Sequence, residues 1–338
     1  MLTGGERQVR TAIATPQGSL TVGAMRDLDP TGPTTVHVTV CDRIEPDTRR
    51  WDGLDQVADR FQALTGPLPL AGAKALEPRP GGELALIAHL RSRAPWMTAA
   101  IDLLDEQLRA NLWAGRPWVQ FRPMLMSGPP GAGKSHFARL VSEFARTGHA
   151  VLSMAGMWDA SLLTGSPRSY TSPSPSFPAV VMCRTGTANP IVVADEVDKT
   201  AIDRRQGEPL AALLTLIEPS TAGHYFDKCL LAHCDLSHAS WIFTANDPTG
   251  LPAPFRSRVD LVEVAGPTDD HFEPLLATLT ADLAREWRTP VPDLPDLLDG
   301  TVDVLRARFS KSRSVRALQR ELAAALMAGM RLTQRTLN

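Results

Sequence analysis

An α/β fold with a parallel sheet flanked by helices, followed by a small all-helical unit, is predicted by three observations. Short apolar runs alternate with helical patterns from Pro123 to Val264, the signature of strands joined by crossover helices. A glycine-rich stretch, Gly128-Pro129-Pro130-Gly131-Ala132-Gly133-Lys134-Ser135, separates the first of those runs from the first of those helices. Strand signals then stop at Ala265-Gly266-Pro267, and only helical periodicity follows.

The 338-residue chain has room for two or three compact units. Residues 1–82 are weakly patterned. Thr35–Val40 alternates like a strand, and the turn-forming cluster Glu77–Gly82 closes the segment. A small N-terminal domain with β content is therefore expected over 1–82. Residues 83–266 are expected to form the large α/β domain with leading helices. Its first part, Glu83–Ala114, carries Met97, Ile101, Leu104, Leu108 and Leu112 at helical spacing. Trp96, Trp113 and Trp118 are expected to pack in a core, with contact to a nucleotide base as the alternative. Strands are expected at Met124–Met126, Ala150–Met154, Ile191–Ala194, Trp241–Thr244 and Val259–Val264. Helices are expected at Ser135–Arg146, Phe177–Arg184 and Leu210–Ile217. Residues 267–338 carry three helical patterns, near Asp270–Arg288, Leu294–Phe309 and Ser314–Thr336.

Composition narrows the function. The net charge of −2 provides no global field toward nucleic acid or a membrane surface. No apolar run approaches the roughly 20 residues that span a bilayer, and the start, Met1–Arg7, has no apolar signal core. A cytoplasmic protein is expected. Cys41, Cys183, Cys229 and Cys234 lack metal-ligand spacing and are expected as reduced, buried thiols. Arg306, Arg308, Lys311, Arg313 and Arg320 are read as solvated helix faces.

The glycine-rich stretch fits G-x-x-x-x-G-K-[ST], the phosphate-binding loop. Its glycines let successive N–H groups wrap a polyphosphate. The helix start at Lys134-Ser135-His136 adds partial positive charge. Lys134 can reach β- and γ-phosphates, and the Ser135 hydroxyl can ligate Mg²⁺. Ile191-Val192-Val193-Ala194-Asp195-Glu196 is an apolar strand ending in two acids. Asp195 can hold the Mg²⁺ shell, and Glu196 can polarise a water for attack on the γ-phosphate. Taken alone, the acids could simply begin a loop; the phosphate loop upstream favours the chemical reading. Ile242-Phe243-Thr244-Ala245-Asn246 is a further apolar strand, and Asn246 can orient the attacking water or touch the γ-phosphate. An ordinary Asn-Asp-Pro turn is the alternative there.

With these residues, the chain from about Pro123 to Arg320 resembles the AAA+ ATPases, and among them the ATPase module of the Lon proteases. Further elements carry the resemblance: Ser169-Tyr170-Thr171, Asn189-Pro190, Ala194-Asp195-Glu196-Val197-Asp198-Lys199, Gly207-Glu208-Pro209, Asp235-Leu236-Ser237, Thr244-Ala245-Asn246, Pro252-Ala253-Pro254 and Ser314-Val315-Arg316-Ala317-Leu318. The resemblance implies a P-loop AAA+ core with a helical lid, using ATP and Mg²⁺. It implies that Arg258 is an arginine finger reaching a neighbouring subunit, with Arg256 the alternative. Arg316 would be the lid arginine facing nucleotide in its own subunit, and Tyr170 the pore-loop aromatic that grips polypeptide. A trans finger implies a homo-oligomeric ring, typically a hexamer. Two departures stand out. Thr171 replaces the bulky apolar residue that follows the family aromatic, and the Trp96–Arg116 segment matches the family's base-binding region poorly. The chain ends at Asn338 directly after the lid helices, so the family's serine–lysine peptidase domain is not expected within it. Mg²⁺-dependent ATP hydrolysis that remodels or unfolds a protein partner is the expected function. The alternatives are an ATP-switched regulatory module with slow hydrolysis and a nucleic-acid-associated motor; the near-neutral charge disfavours the latter.

Overall fold

The computed structural model of the protein describes residues 35–44, 55–200 and 209–336, together with the backbone of Ala14–Thr15 and Gly18–Ser19. Gly207-Glu208, and the N-terminal expectation over the other early residues, lie outside the described residues. After a two-residue antiparallel pair at Ala14–Thr15 and Gly18–Ser19, a longer antiparallel pair forms from β1 (Val36–Thr39) and β2 (Pro67–Leu70). Two helices follow, α1 (Ala85–Arg93) and α2 (Thr98–Trp113). The single helical region expected over 83–114 is split at Ala94-Pro95. Proline disfavours helical backbone at the residue before it, and Ala94 sits at φ −138°, ψ 58°.

The main sheet then builds from β3 (Met124–Ser127), α3 (Lys134–Ala145), β4 (His149–Ser153), α4 (Phe177–Thr185) and β5 (Ile191–Asp195). It continues through α5 (Pro209–Ile217), a hairpin of β6 (Tyr225–Asp227) and β7 (Ala232–Cys234), then β8 (Ser240–Ala245) and β9 (Asp260–Glu263). The five long-range strands are all parallel, in the order β9-β3-β8-β5-β4. The β6–β7 hairpin and β2 were not foreseen: each is three or four residues, too short for alternation to register, and β2 carries Pro67 and Pro69.

Because strand side chains alternate, the sheet has two apolar faces. Met124, Met126, Ile191, Val193, Ile242 and Val262 enter one core with α1, α2, α3 and the C-terminal helices. Leu125, Val192, Ala194, Trp241 and Phe243 enter the other, with α4, α5 and the β6–β7 hairpin. That second core also takes Val40, Phe61, Leu64, Leu68 and Leu70, so the described N-terminal residues pack on the α/β body. Asn189, fully buried, fastens the join: its amide donates to the carbonyls of Ala71 and Val119, and its oxygen accepts the Ala71 N–H.

The lid consists of α6 (Phe272–Glu286), α7 (Thr301–Ser312) and α8 (Val315–Thr336). The helix expected from Leu294 begins only at Thr301. Pro295 restrains Leu294 to an extended conformation (φ −67°, ψ 147°), and Gly300 caps the helix at φ +74°. Trp96 is buried as expected, but Trp113 is 92% exposed at the last turn of α2, so the core expectation fails there. Trp113 lies next to Leu112 of the apolar stripe but off it, at the end of the helix, where no neighbour covers it. Cys41, Cys229 and Cys234 are buried free thiols and Cys183 is partly buried. No helix of the described residues is long and apolar enough to cross a membrane.

Candidate active site

Strand register gathers the site. Ala245 pairs with Ser127, and Phe243 pairs with Ala194, so β3, β8 and β5 end level with one another. The glycine-rich loop, Asn246 and the Asp195-Glu196 pair therefore leave the same edge of the sheet, where ligands of parallel sheets bind.

The loop is shaped to receive an anion. Gly128 runs against β9's end: a Cβ there would lie 2.1 Å from the Val264 carbonyl oxygen. Gly131 sits at φ +80° and touches Ser314 of the lid. Ala132 is buried, its carbonyl accepting the Trp96 indole N–H at 2.9 Å, while Pro129 and Pro130 form the exposed rim. Gly133 takes φ +97° and starts α3. The first intrahelical bond of that turn runs from the Phe137 N–H to the Gly133 carbonyl at 2.9 Å. The N–H groups of Lys134, Ser135 and His136 precede it and have no partner within the helix.

The Lys134 ammonium folds over the loop, donating to the carbonyls of Gly128 (2.6 Å) and Pro129 (3.1 Å), with Asn246 Oδ1 at 3.5 Å. Burial lowers its proton affinity, and Asp195, Asp198 and Glu196 partly restore it, while the Arg316 charge opposes them. The Ser135 hydroxyl donates to Asp195 Oδ1 at 3.0 Å, and the Thr244 hydroxyl donates to the same oxygen. Thr244 Oγ1 in turn accepts the Glu196 N–H at 3.0 Å. Glu196 adopts left-handed backbone geometry (φ 59°, ψ 48°) and its carboxylate pairs with Lys199. The glycine cradle fits a polyphosphate. The adjacent hydroxyl and carboxylate of Ser135 and Asp195 form the oxygen donor set that Mg²⁺ prefers.

The other expected residues take distinct places. The His136 ring turns toward the lid: Arg139 Nη2 donates to Nδ1 at 2.9 Å, and Nδ1 lies 3.5 Å from Asp282 Oδ2 on α6. Its Nε2 is buried without a partner among the described residues. Burial pushes the His136 ring down to about 4. Arg316, exposed at the start of α8, acts on Lys134 only through its charge. Arg258 pairs with Glu218 Oε2 (3.2 Å) and the Pro254 carbonyl (3.0 Å), with no phosphate-loop residue among its partners in the described residues. Tyr170 is 62% exposed on the loop between β4 and α4. That loop is anchored below the tyrosine: the Arg168 guanidinium donates to the carbonyls of Cys229 and Leu230, and the Ser176 N–H donates to buried Asp227. Residues the sequence reading passed over are Thr244, Asp198, Ser314 and Asp282. The first three lay inside quoted stretches, but nothing in their spacing marked a contact.

Residues 124–266 match the family model described as ATPase family associated with various cellular activities (AAA). With the strand order, the phosphate loop and the acid-tipped β5, this defines a AAA-family ATPase domain within the chain. Among its sequence relatives are Lon proteases. Lon protease 3 of Sorangium cellulosum is 31% identical over 198 residues, 58% of this chain and 24% of that protein. Lon protease 2 of Thermus thermophilus is 31% identical over 216 residues, 62% of this chain and 26% of its own. Lon protease 1 of Bacillus subtilis is 29% identical over 202 residues, 60% and 26% respectively. The chain spans about a quarter of the length of these relatives. In fold it is similar to a closed-state cryo-EM reconstruction of Hsp104 with ATPγS and FITC casein. The TM-score is 0.57 at 16% identity, covering 75% of this chain and 47% of that one.

Proposed function

We propose that the protein hydrolyses ATP with Mg²⁺ in a homo-oligomeric ring, a hexamer, and uses the energy to remodel or unfold a protein partner in the cytoplasm. One observation carries the reading: the Ser135 hydroxyl meets Asp195 at 3.0 Å while Lys134 Nζ lies 3.5 Å from Asn246. Loop, acid-tipped strand and neighbouring strand end thus converge on one point. The loop N–H groups and Lys134 would hold the β- and γ-phosphates. Ser135 and the Asp195 shell would hold Mg²⁺, which when bound would neutralise charge on the phosphates. Glu196 orients and deprotonates the attacking water, and Asn246 fixes that water or the γ-phosphate. Arg316 closes the lid side, and Arg258 serves the neighbour's site once it leaves Glu218.

The protein-partner part draws on the relatives, which are named as proteases, and on the Hsp104 reconstruction with casein. Tyr170 would grip such a chain by sequence-independent packing. A second reading, an ATP-switched module with slow turnover, is favoured by the Lys199 ion pair on Glu196. The test is a turnover and binding assay. Lys134→Ala loses nucleotide binding, whereas Glu196→Gln retains ATP, stops turnover and accumulates as a ring of measurable mass. Normal turnover in Glu196→Gln would remove it as the base.

A further inference from the structure

After Glu196 the chain makes a single 3-10 turn, Val197–Lys199, and the left-handed backbone of Glu196 swings that turn back over the sheet edge. Asp198 thereby returns to the end of β8. Its Oδ2 accepts the N–H of Asn246 at 3.0 Å and of Asp247 at 3.3 Å, the first two residues beyond the strand. Two bonds to consecutive N–H groups set the rotation of that peptide. They therefore set the direction of the Asn246 amide, whose Oδ1 lies 3.5 Å from Lys134 Nζ. The other oxygen, Oδ1, is buried with no hydrogen-bond partner among the described residues. A carboxylate kept only to cap a turn has no reason to bury an unsatisfied acceptor, which lowers stability.

We propose that Asp198 is a positioning residue for Asn246, locking the end of β8 to the acid-tipped β5 so that the Asn246 amide faces the phosphate site. The proposal rests on the hydrolysis reading above. It links two groups that act on the same reaction, the water-activating turn and the amide, into one rigid unit.

A double-mutant cycle on the full chain tests it, with ATP turnover, fluorescent ATP-analogue affinity and melting temperature measured for each variant. Asp198→Ala lowers kcat roughly tenfold, the scale of losing charge-assisted hydrogen bonds, with KM and analogue affinity little changed. Asp198→Asn, which keeps an acceptor oxygen, recovers most of that loss. In Asp198→Ala/Asn246→Ala the first substitution adds nothing to the second, because Asp198 acts only through Asn246. Multiplying losses in the double variant, or a kcat loss that follows melting temperature across the series, would overturn the positioning role. So would unchanged kcat in Asp198→Ala. No ATP turnover by the unsubstituted chain would instead overturn the hydrolysis reading, and this inference with it.

Discussion

Gly131→Ala separates the lid from the phosphate loop with one methyl group. Gly131 lies at φ +80°, and a Cβ there would stand 2.3 Å from Ser314 Oγ and 3.2 Å from Ser314 Cβ. The left-handed backbone costs an alanine about 1 kcal/mol or slightly more. Ser314 Oγ cannot simply rotate away, because it accepts the Ala317 N–H at 3.2 Å and so caps α8; losing such a cap costs about 1 kcal/mol. The Cβ–Cβ approach then shifts the Ser314 backbone, which strains the Val315 N–H to Gly131 carbonyl bond of 2.8 Å. Together these destabilise the closed lid by about 2–3 kcal/mol. Thermal unfolding should fall by about 5 °C, and ATP-analogue affinity should drop with it. Adding Ser314→Gly removes the steric part and leaves the backbone strain and the few tenths of a kcal/mol lost with the α8 cap, so stability and binding should partly return. Unchanged melting and binding in Gly131→Ala, or no rescue by Ser314→Gly, would refute the account of this contact.

Stability should also respond to pH through His136. Its ring, ordinarily near 6.5, is depressed to about 4 by burial, with Arg139, Arg285 and Arg93 lowering it further and Asp282 opposing them. The unfolded chain binds the proton first, so this contribution is whole above about pH 6.5 and is lost as pH falls toward 4. The full loss is on the order of 3 kcal/mol, and His136→Gln should flatten that part of the denaturation midpoint against pH. Arg258→Ala should lower turnover by about 10³-fold; mixing it with Lys134→Ala subunits, whose Arg258 is intact, should restore activity if the finger acts across subunits. Tyr170→Ala should lower ATP-driven unfolding of a tagged test protein more than it lowers ATP turnover, read as the ratio of the two rates.

The α/β order, the phosphate loop and the acid-tipped strand were legible because each rests on local pattern. Apolar runs such as Ile191–Ala194 and Trp241–Thr244 are buried on both faces of a parallel sheet, so they read as uninterrupted hydrophobic stretches. Gly-Lys-Ser at a strand–helix junction is dictated by backbone conformation and phosphate chemistry over eight residues. The break at Pro95 and the late start of α7 were written in Pro95, Pro295 and Gly300, but the helical spacing around them masked the signal. Trp113 shows the reverse error: an aromatic side chain expected in a core, left uncovered at the end of its helix.

The sequence by itself determined which chemical groups this edge of the sheet presents, because Lys134, Ser135, Asp195, Glu196 and Asn246 each announce an ammonium, a hydroxyl, a carboxylate or an amide from a short neighbourhood. Tertiary structure alone decided what those atoms are held by. The seating of the lid on Gly131 through Ser314, the burial of His136 against Asp282 on α6, and the fastening of Asn246 by Asp198 join residues 48 to 183 positions apart. Such contacts depend on strand register and helix packing across the whole domain, and no local period in the chain encodes a partner at that distance.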